Sequence, residues 1–204
     1  MTRPIPPSLL RNGSAALLFA LAVALPARGD DAAGIDAGLA QGTRAIAADL
    51  MNQLGQKLKG ALANEGPLAA VSVCKEAAPA IATNLSAQHG AQVSRVGTRV
   101  RNPKMGVPNS WQKEALADFE ARLEKGEKPA DLEYWKVVEG SDGKRELRYA
   151  KAIVTQQLCV NCHGKPEDIP TPLLEKIRAE YPEDQATGYS VGKLRGAVVV
   201  TRPM

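Results

Sequence analysis

The chain has 204 residues, 44% hydrophobic and 24% charged, so it is long enough and apolar enough to bury a core. Its formal net charge is +4, but Arg3, Arg11 and Arg28 fall in the first 29 positions, which hold no acidic residue. Removing these three from the 26 basic residues leaves 23 against 22 acidic ones. This near-neutral balance gives no support to nucleic-acid binding, which is not expected.

The first 29 residues have the pattern of a cleaved signal peptide. A basic start is followed by an apolar run over 14–25, which is too short for a permanent membrane anchor, and by small residues at Ala27 and Gly29. No cysteine lies near this site, so a lipoprotein anchor is not expected. The sequence therefore predicts cleavage before Asp30, a periplasmic protein, no membrane span in the mature protein, and one domain over 30–204.

Two helices are predicted at the start of the mature chain. Apolar residues recur at helical spacing over 35–63 and again from Pro67 to His89. Pro79 lies inside the second pattern, so a kink or a break is expected near Lys75.

The period then changes from helical spacing to alternation. From Gln92 the alternating residues predict a strand, with Arg95, Arg99 and Arg101 on one face. The later elements are a helix over 110–123, a hairpin of strands 133–139 and 145–155, a short helix over 172–180 and a largely buried strand over 194–201. Helices followed by mostly antiparallel strands predict a single α+β domain.

A C-x-x-C-H motif at Cys159, Cys162 and His163 is the strongest chemical signal in the chain. Two thiols about one helical turn apart can form thioethers with the two haem vinyl groups, and the adjacent histidine can bind the iron. A zinc site would need a second ligand pair, and a thioredoxin-like motif would need a βαβ setting. The motif therefore predicts one covalently bound haem c per chain.

The second axial ligand has four candidates. Cys74 lies on an apolar helix face, where ligation and simple packing are equally supported by the residues, although its lack of a disulfide partner slightly favours ligation. Met51 is expected to fill the core, and His89 is expected to lie on the surface at a helix end. Met105 lies in a loop rich in Pro and Gly and stays open as a ligand.

Five segments resemble one known family: AAVSVCKEAAPAIA, VRNP, LRYAKAI, LCVNCHGKPEDIP and YPEDQATGYSVGKLRGAVVVT. This is a family of exported, PAS-like haem c domains, long described as a domain of unknown function, which occur as soluble proteins and as the extracytoplasmic sensing region of histidine kinases. The resemblance implies a PAS-like antiparallel sheet of about five strands with flanking helices. It also implies His163 as the proximal ligand of the haem iron and Cys74 as the distal one.

Redox or diatomic-gas sensing is the favoured function, and soluble periplasmic electron transfer is the alternative. The small electron carriers place the haem motif near the N-terminus with a methionine ligand downstream, whereas only Met204 follows His163 here. No paired carboxylates or Ser/His/Asp set accompanies the motif, so no catalytic residue and no enzyme activity are predicted. Besides haem, the candidate partners are a diatomic gas or a redox partner protein.

The basic residues Arg95, Arg99 and Arg101 leave two interpretations open. Haem propionates need cationic partners, and three arginines on one strand face would supply them. A solvated strand face explains the same alternation equally well.

The mature protein is expected to begin at or near Asp30, because the residues before it have the signal-peptide pattern. Intact-mass measurement of the exported protein checks this expectation. A mass that retains the first 29 residues would indicate an uncleaved membrane tether instead.

Overall fold

A computed structural model describes Met1 and residues 34–204. The predicted signal peptide and its cleavage site before Asp30 lie outside the described residues. Within the described part of the chain, no helix has the length and apolarity needed to cross a bilayer.

The core of the fold is an antiparallel sheet of four strands in the order β1-β4-β3-β2. The strands are β1 (Gln92–Gly97), β2 (Glu133–Glu139), β3 (Arg145–Val154) and β4 (Leu194–Pro203). All four were predicted from residue patterns, and β2 and β3 pair as the expected hairpin. The resemblance implied about five strands, and the described part of the chain forms four.

The sheet is flanked by helices on both faces, so the fold is α+β and is consistent with a PAS-like domain. The helices are α1 (Ala37–Asn64), α2 (Pro67–Ser72), α3 (Ala78–His89), α4 (Ser110–Glu124), α5 (Gln157–His163) and α6 (Thr171–Glu180).

Alternation along β4 separates the two faces of the sheet. Val198 and Val200 pack in one buried cluster with residues of α1 and α3. Ala197 and Val199 point the other way and pack against α4. A third, smaller cluster joins α6 to α2 through residues such as Val71. The space between β1, α1 and the α2–α3 segment is therefore bounded by well-packed elements.

A π-helical turn at Val73–Ala77 connects α2 to α3 without a break. The N–H of Ala78 donates to the carbonyl of Val73, which is five residues back. Pro79 follows and lacks the N–H that a regular helix would direct at the carbonyl of Lys75. The predicted irregularity near Lys75 is confirmed, and its form is a π turn that contains Cys74.

Strand β1 ends at Gly97, earlier than the alternation predicted. The N–H of Gly97 donates to the carbonyl of Gly106 at 3.0 Å, which ties the end of the strand to the loop that follows it. A Cβ on Gly97 would lie 2.7 Å from the carbonyl oxygen of Arg99, so glycine is required for this close approach. The expectation that three arginines share one strand face is therefore wrong: Arg95 lies on β1, whereas Arg99 and Arg101 lie in the following loop.

The carboxylate of Glu133 ties α1 to the sheet. It accepts hydrogen bonds from Arg44 of α1 at 2.9 Å, from the Tyr149 hydroxyl at 3.0 Å and from the Trp135 indole at 3.3 Å. The Arg44 guanidinium also lies over the Trp135 ring. Because α1 forms one wall of the cavity described below, this cluster fixes the position of that wall.

Replacing Glu133 by Gln is expected to lower the free energy of unfolding by about 1–3 kcal/mol, because hydrogen bonds to a charged acceptor are lost and an amide N–H₂ would face other donors. Urea denaturation measures the change. Asp142→Asn is the control, since its ion pair with Lys144 is exposed and contributes little. Equal effects of the two substitutions would contradict this role for Glu133.

Candidate functional site

A cavity of about 480 Å³ opens between α1, the π turn, β1 and α5. Its volume falls within the roughly 300–1,000 Å³ range of cofactor pockets. All four predicted site residues line it, and they are Cys74, Cys159, Cys162 and His163. The π turn supplies the first of them, and α5 supplies the other three from a single short helix. Two distant segments of the sequence therefore meet at one cavity.

The C-terminal end of α5 is fixed by hydrogen bonds from elsewhere in the chain. The carbonyl of His163 accepts from the N–H of Tyr189 at 2.8 Å, and the carbonyl of Cys162 accepts from Arg101 at 2.7 Å. Gly164 ends the helix, and a Cβ there would lie 2.4 Å from the carbonyl oxygen of Val160. Glycine directly after the motif is therefore a steric requirement of this helix end.

The imidazole of His163 is held in one tautomer. Its Nδ1 lies 2.7 Å from the carbonyl oxygen of Ala186, which can only accept, so Nδ1 carries the proton. Nε2 is then left with its lone pair free for a metal. Burial lowers the pKa of His163 well below its ordinary value, and the cations of Arg101 and Arg195 lower it further. The ring is therefore neutral, as a metal ligand must be.

The three cysteines are free and partly buried. Burial raises the pKa of Cys162, and the nearby Arg101 offsets part of this effect. The Sγ of Cys159 accepts a hydrogen bond from the N–H of Gln156 at 3.3 Å, whereas Cys74 makes no hydrogen bond within the described residues. The two anchor thiols thus belong to a fixed helix, and Cys74 is held only by the backbone of its π turn.

Four arginines line the cavity, and they are Arg95, Arg99, Arg101 and Arg195. The sequence analysis names the first three as possible partners of the haem propionates. Arg195 was missed because it lies within an apolar strand segment, and its only sequence signal is that it interrupts that apolar run. Burial lowers the pKa values of Arg95 and Arg195.

The remaining predicted ligand candidates occupy different places. Met51 is 38% exposed and lines the cavity, so the expectation that it fills the core is wrong. Its position on α1 places it at the open side, where it is not covered by the sheet. Met105 is 47% exposed and also lines the cavity. His89 ends α3 and is exposed, as predicted, and it does not line the cavity.

The donor set and the walls fit a haem. Thiols and a neutral imidazole are soft or borderline ligands suited to iron, and most of the lining surface is apolar. The cavity also contains buried guanidinium nitrogens without hydrogen-bond partners among the described residues, at Nε of Arg101 and Nε of Arg195. Cationic donors of this kind suit the carboxylates that a haem carries. Within the described part of the chain, no three His, Cys, Asp or Glu residues are grouped around one metal-ion position.

Comparisons with known proteins give one family and one solved structure. No curated protein matches the chain. The crystal structure of the cyanobacterial heme-protein Tll0287 is similar, with 25% sequence identity and a TM-score of 0.56 over 82% of this chain and 93% of that chain. A family model described as Tll0287-like matches residues 31–203, which is nearly all of the predicted mature chain. These matches confirm the resemblance drawn from the five segments: the chain belongs to the Tll0287-like family.

Proposed function

We propose that this protein binds one haem c covalently in the cavity and senses redox state or a diatomic gas through it. The observation that carries the proposal is the convergence of Cys74, His163 and the two motif thiols on one cavity. The similar cyanobacterial structure is titled a heme-protein, which supports the same cofactor class. Export to the periplasm, where covalent haem attachment takes place, and a binding rather than a catalytic role complete the proposal.

In this proposal, the residues that line the cavity have separate roles in holding the haem. Cys159 and Cys162 would form the thioether links, and His163 would bind the iron through Nε2 while Ala186 holds its Nδ1–H. Cys74 would supply a sulfur ligand from the π turn. When bound, a haem supplies an iron that changes charge by one electron and can exchange an axial ligand.

The two sides of the cavity differ in how firmly they hold their ligand. His163 is fixed by the hydrogen bond to Ala186 and by the bonds at the end of α5. Cys74 has no hydrogen bond among the described residues and lies in a π turn next to Pro79. π turns are less favourable than regular helix and are frequent at functional sites. This asymmetry supports sensing, because one ligand can leave while the other stays.

Electron transfer is the alternative function, and one observation favours it. Met51, Met105 and Leu158 line the cavity and are 38%, 47% and 38% exposed. An exposed apolar rim beside a cofactor is a suitable contact surface for a redox partner protein. A carrier would keep both axial ligands in both redox states, whereas a sensor would open one of them.

Replacing Cys159 or Cys162 by Ala is expected to leave a single thioether, because each thiol makes one of the two links. The pyridine haemochrome band should shift toward that of a haem with one remaining vinyl group. Acid–acetone extraction supplies the control on the unmutated protein. Release of intact haem in that extraction would contradict covalent attachment.

Replacing Cys74 by Ser is expected to abolish the thiolate signature in the ferric EPR spectrum. Loss of an anionic ligand should raise the reduction potential by at least about 59 mV, a tenfold change for one electron. Covalent haem and His163 ligation should be unaffected.

In the unmutated protein, the reduced state should bind carbon monoxide or nitric oxide if the protein is a sensor.

Met51→Leu and Met105→Leu are the matched controls, since both side chains line the same cavity. They should leave the spectrum and the potential unchanged. A Cys74→Ser protein that keeps the original ferric spectrum would identify another distal ligand. A reduced protein that binds neither gas would favour the electron carrier over the sensor.

A further inference from the structure

Arg95 projects from β1 toward the cavity. It lies two residues from Val93, which packs in the cluster with α1 and α3, and side chains two apart in a strand share a face. It also lies directly opposite Val198 of β4, which belongs to the same cluster. The guanidinium therefore enters the space between the sheet and the helices, and Arg95 is among the residues that line the cavity.

The other cavity arginines are bound to protein acceptors. Arg101 pairs with the Asp184 carboxylate at 2.9 Å. Arg99 donates to the carbonyl of Gly188 at 3.1 Å, and Arg195 donates to the carbonyl of Arg99 at 3.1 Å. Arg95, in contrast, makes no hydrogen bond and no ion pair within the described residues. It is the one arginine of the cavity with no hydrogen-bond or ion-pair partner at all among the described residues, whereas Arg101 and Arg195 are each bound elsewhere and leave a buried Nε unpaired.

Arg95 is half-buried in a mostly apolar cavity and has no protein acceptor among the described residues, so its guanidinium is available to an anion that enters the cavity. Arg95 interacts electrostatically with His163 and Arg195, and also with the thiol of Cys74 and the phenol of Tyr181. None of these groups matches the planar fork of a guanidinium, whereas a carboxylate does so with two parallel hydrogen bonds. No Lys, Asp or Glu lines the cavity. A haem would bring two carboxylates into it.

We propose that Arg95 binds a haem propionate carboxylate and thereby orients the haem and neutralises one of its negative charges. This inference rests on the proposed haem function. Arg95 is a positioning residue, since its guanidinium contacts the edge of the cofactor and not the iron. Because it offsets a negative charge near the iron, Arg95 disfavours the ferric state and raises the reduction potential.

The test uses haem-loaded protein and the Arg95→Gln variant. Loss of the cation should shift the one-electron equilibrium about tenfold toward the ferric state, which corresponds to about 59 mV. The propionate bending band in the resonance Raman spectrum should move as well, and a purely structural role for Arg95 would leave that band in place. Arg95→Lys keeps the positive charge but cannot donate two parallel hydrogen bonds to a carboxylate. Its reduction potential should therefore be close to that of the unmutated protein, and its propionate Raman band should return only part of the way to the original position.

Arg148→Gln is the charge-matched control. Arg148 lies on β3 beside Trp111 of α4, on the other face of the sheet. Its loss should leave both readouts unchanged. If Arg95→Gln loads no haem, the comparison is made with Arg95→Lys, and an unmoved Raman band there overturns the proposal.

The same substitution in a Cys74→Ser background separates the two possible anions. A shift in potential that persists supports the propionate, and a shift that disappears assigns Arg95 to the Cys74 thiolate and overturns the proposal. If the unmutated protein carries attached haem and the Arg95→Gln variant has an unchanged spectrum, the proposed role of Arg95 is refuted. The proposed haem function is not affected by that result. Unmutated protein that attaches no haem refutes the proposed function itself.

Discussion

The site depends on a buried ion pair that fixes the loop behind His163. Arg101 pairs with Asp184 at 2.9 Å, and their side chains are only 10% and 7% exposed. Asp184 also accepts from the N–H of Ala186, whose carbonyl oxygen in turn accepts from Nδ1 of His163. The same guanidinium donates to the carbonyl of Cys162. Breaking a buried pair of this kind costs about 3–5 kcal/mol, so the ligand orientation is coupled to the stability of the fold.

The rest of the fold holds the part of the cavity that carries His163 more firmly than the part that carries Cys74. The strands β3 and β4 run through the middle of the sheet, between the helices on its two faces, and the fixed α5 follows directly from β3. Another wall of the cavity consists of α1 and the π turn, which pack on the sheet through side chains. If Cys74 binds the haem iron as proposed, small free-energy differences between two arrangements of its segment would suffice to change that ligand without disturbing His163.

Features that depend on local chemistry could be predicted from the sequence. The start of α4 is set by the capping box of Asn109, the hairpin by its turn, and the spacing of the C-x-x-C-H residues by one helical turn of α5. Features that depend on residues far apart in the chain could not be predicted from the sequence. The pairing of Arg101 with Asp184 spans 83 positions, and the N–H of Gly97 at the end of β1 donates to a carbonyl nine residues later. A proline in a helical pattern predicts an irregularity, but the packing decides between a break and a π turn.

The cavity also explains why so many charges are tolerated near an apolar core. Three of its guanidiniums meet carbonyl or carboxylate acceptors, which reduces the cost of burying them. Arg95 has no such acceptor among the described residues, and the walls of the cavity are mostly apolar. A planar, apolar cofactor with carboxylates at one edge would pack against the apolar walls and would also give Arg95 an acceptor. Binding of that cofactor would therefore stabilise the native state itself, so cofactor loading and folding are coupled in this cavity.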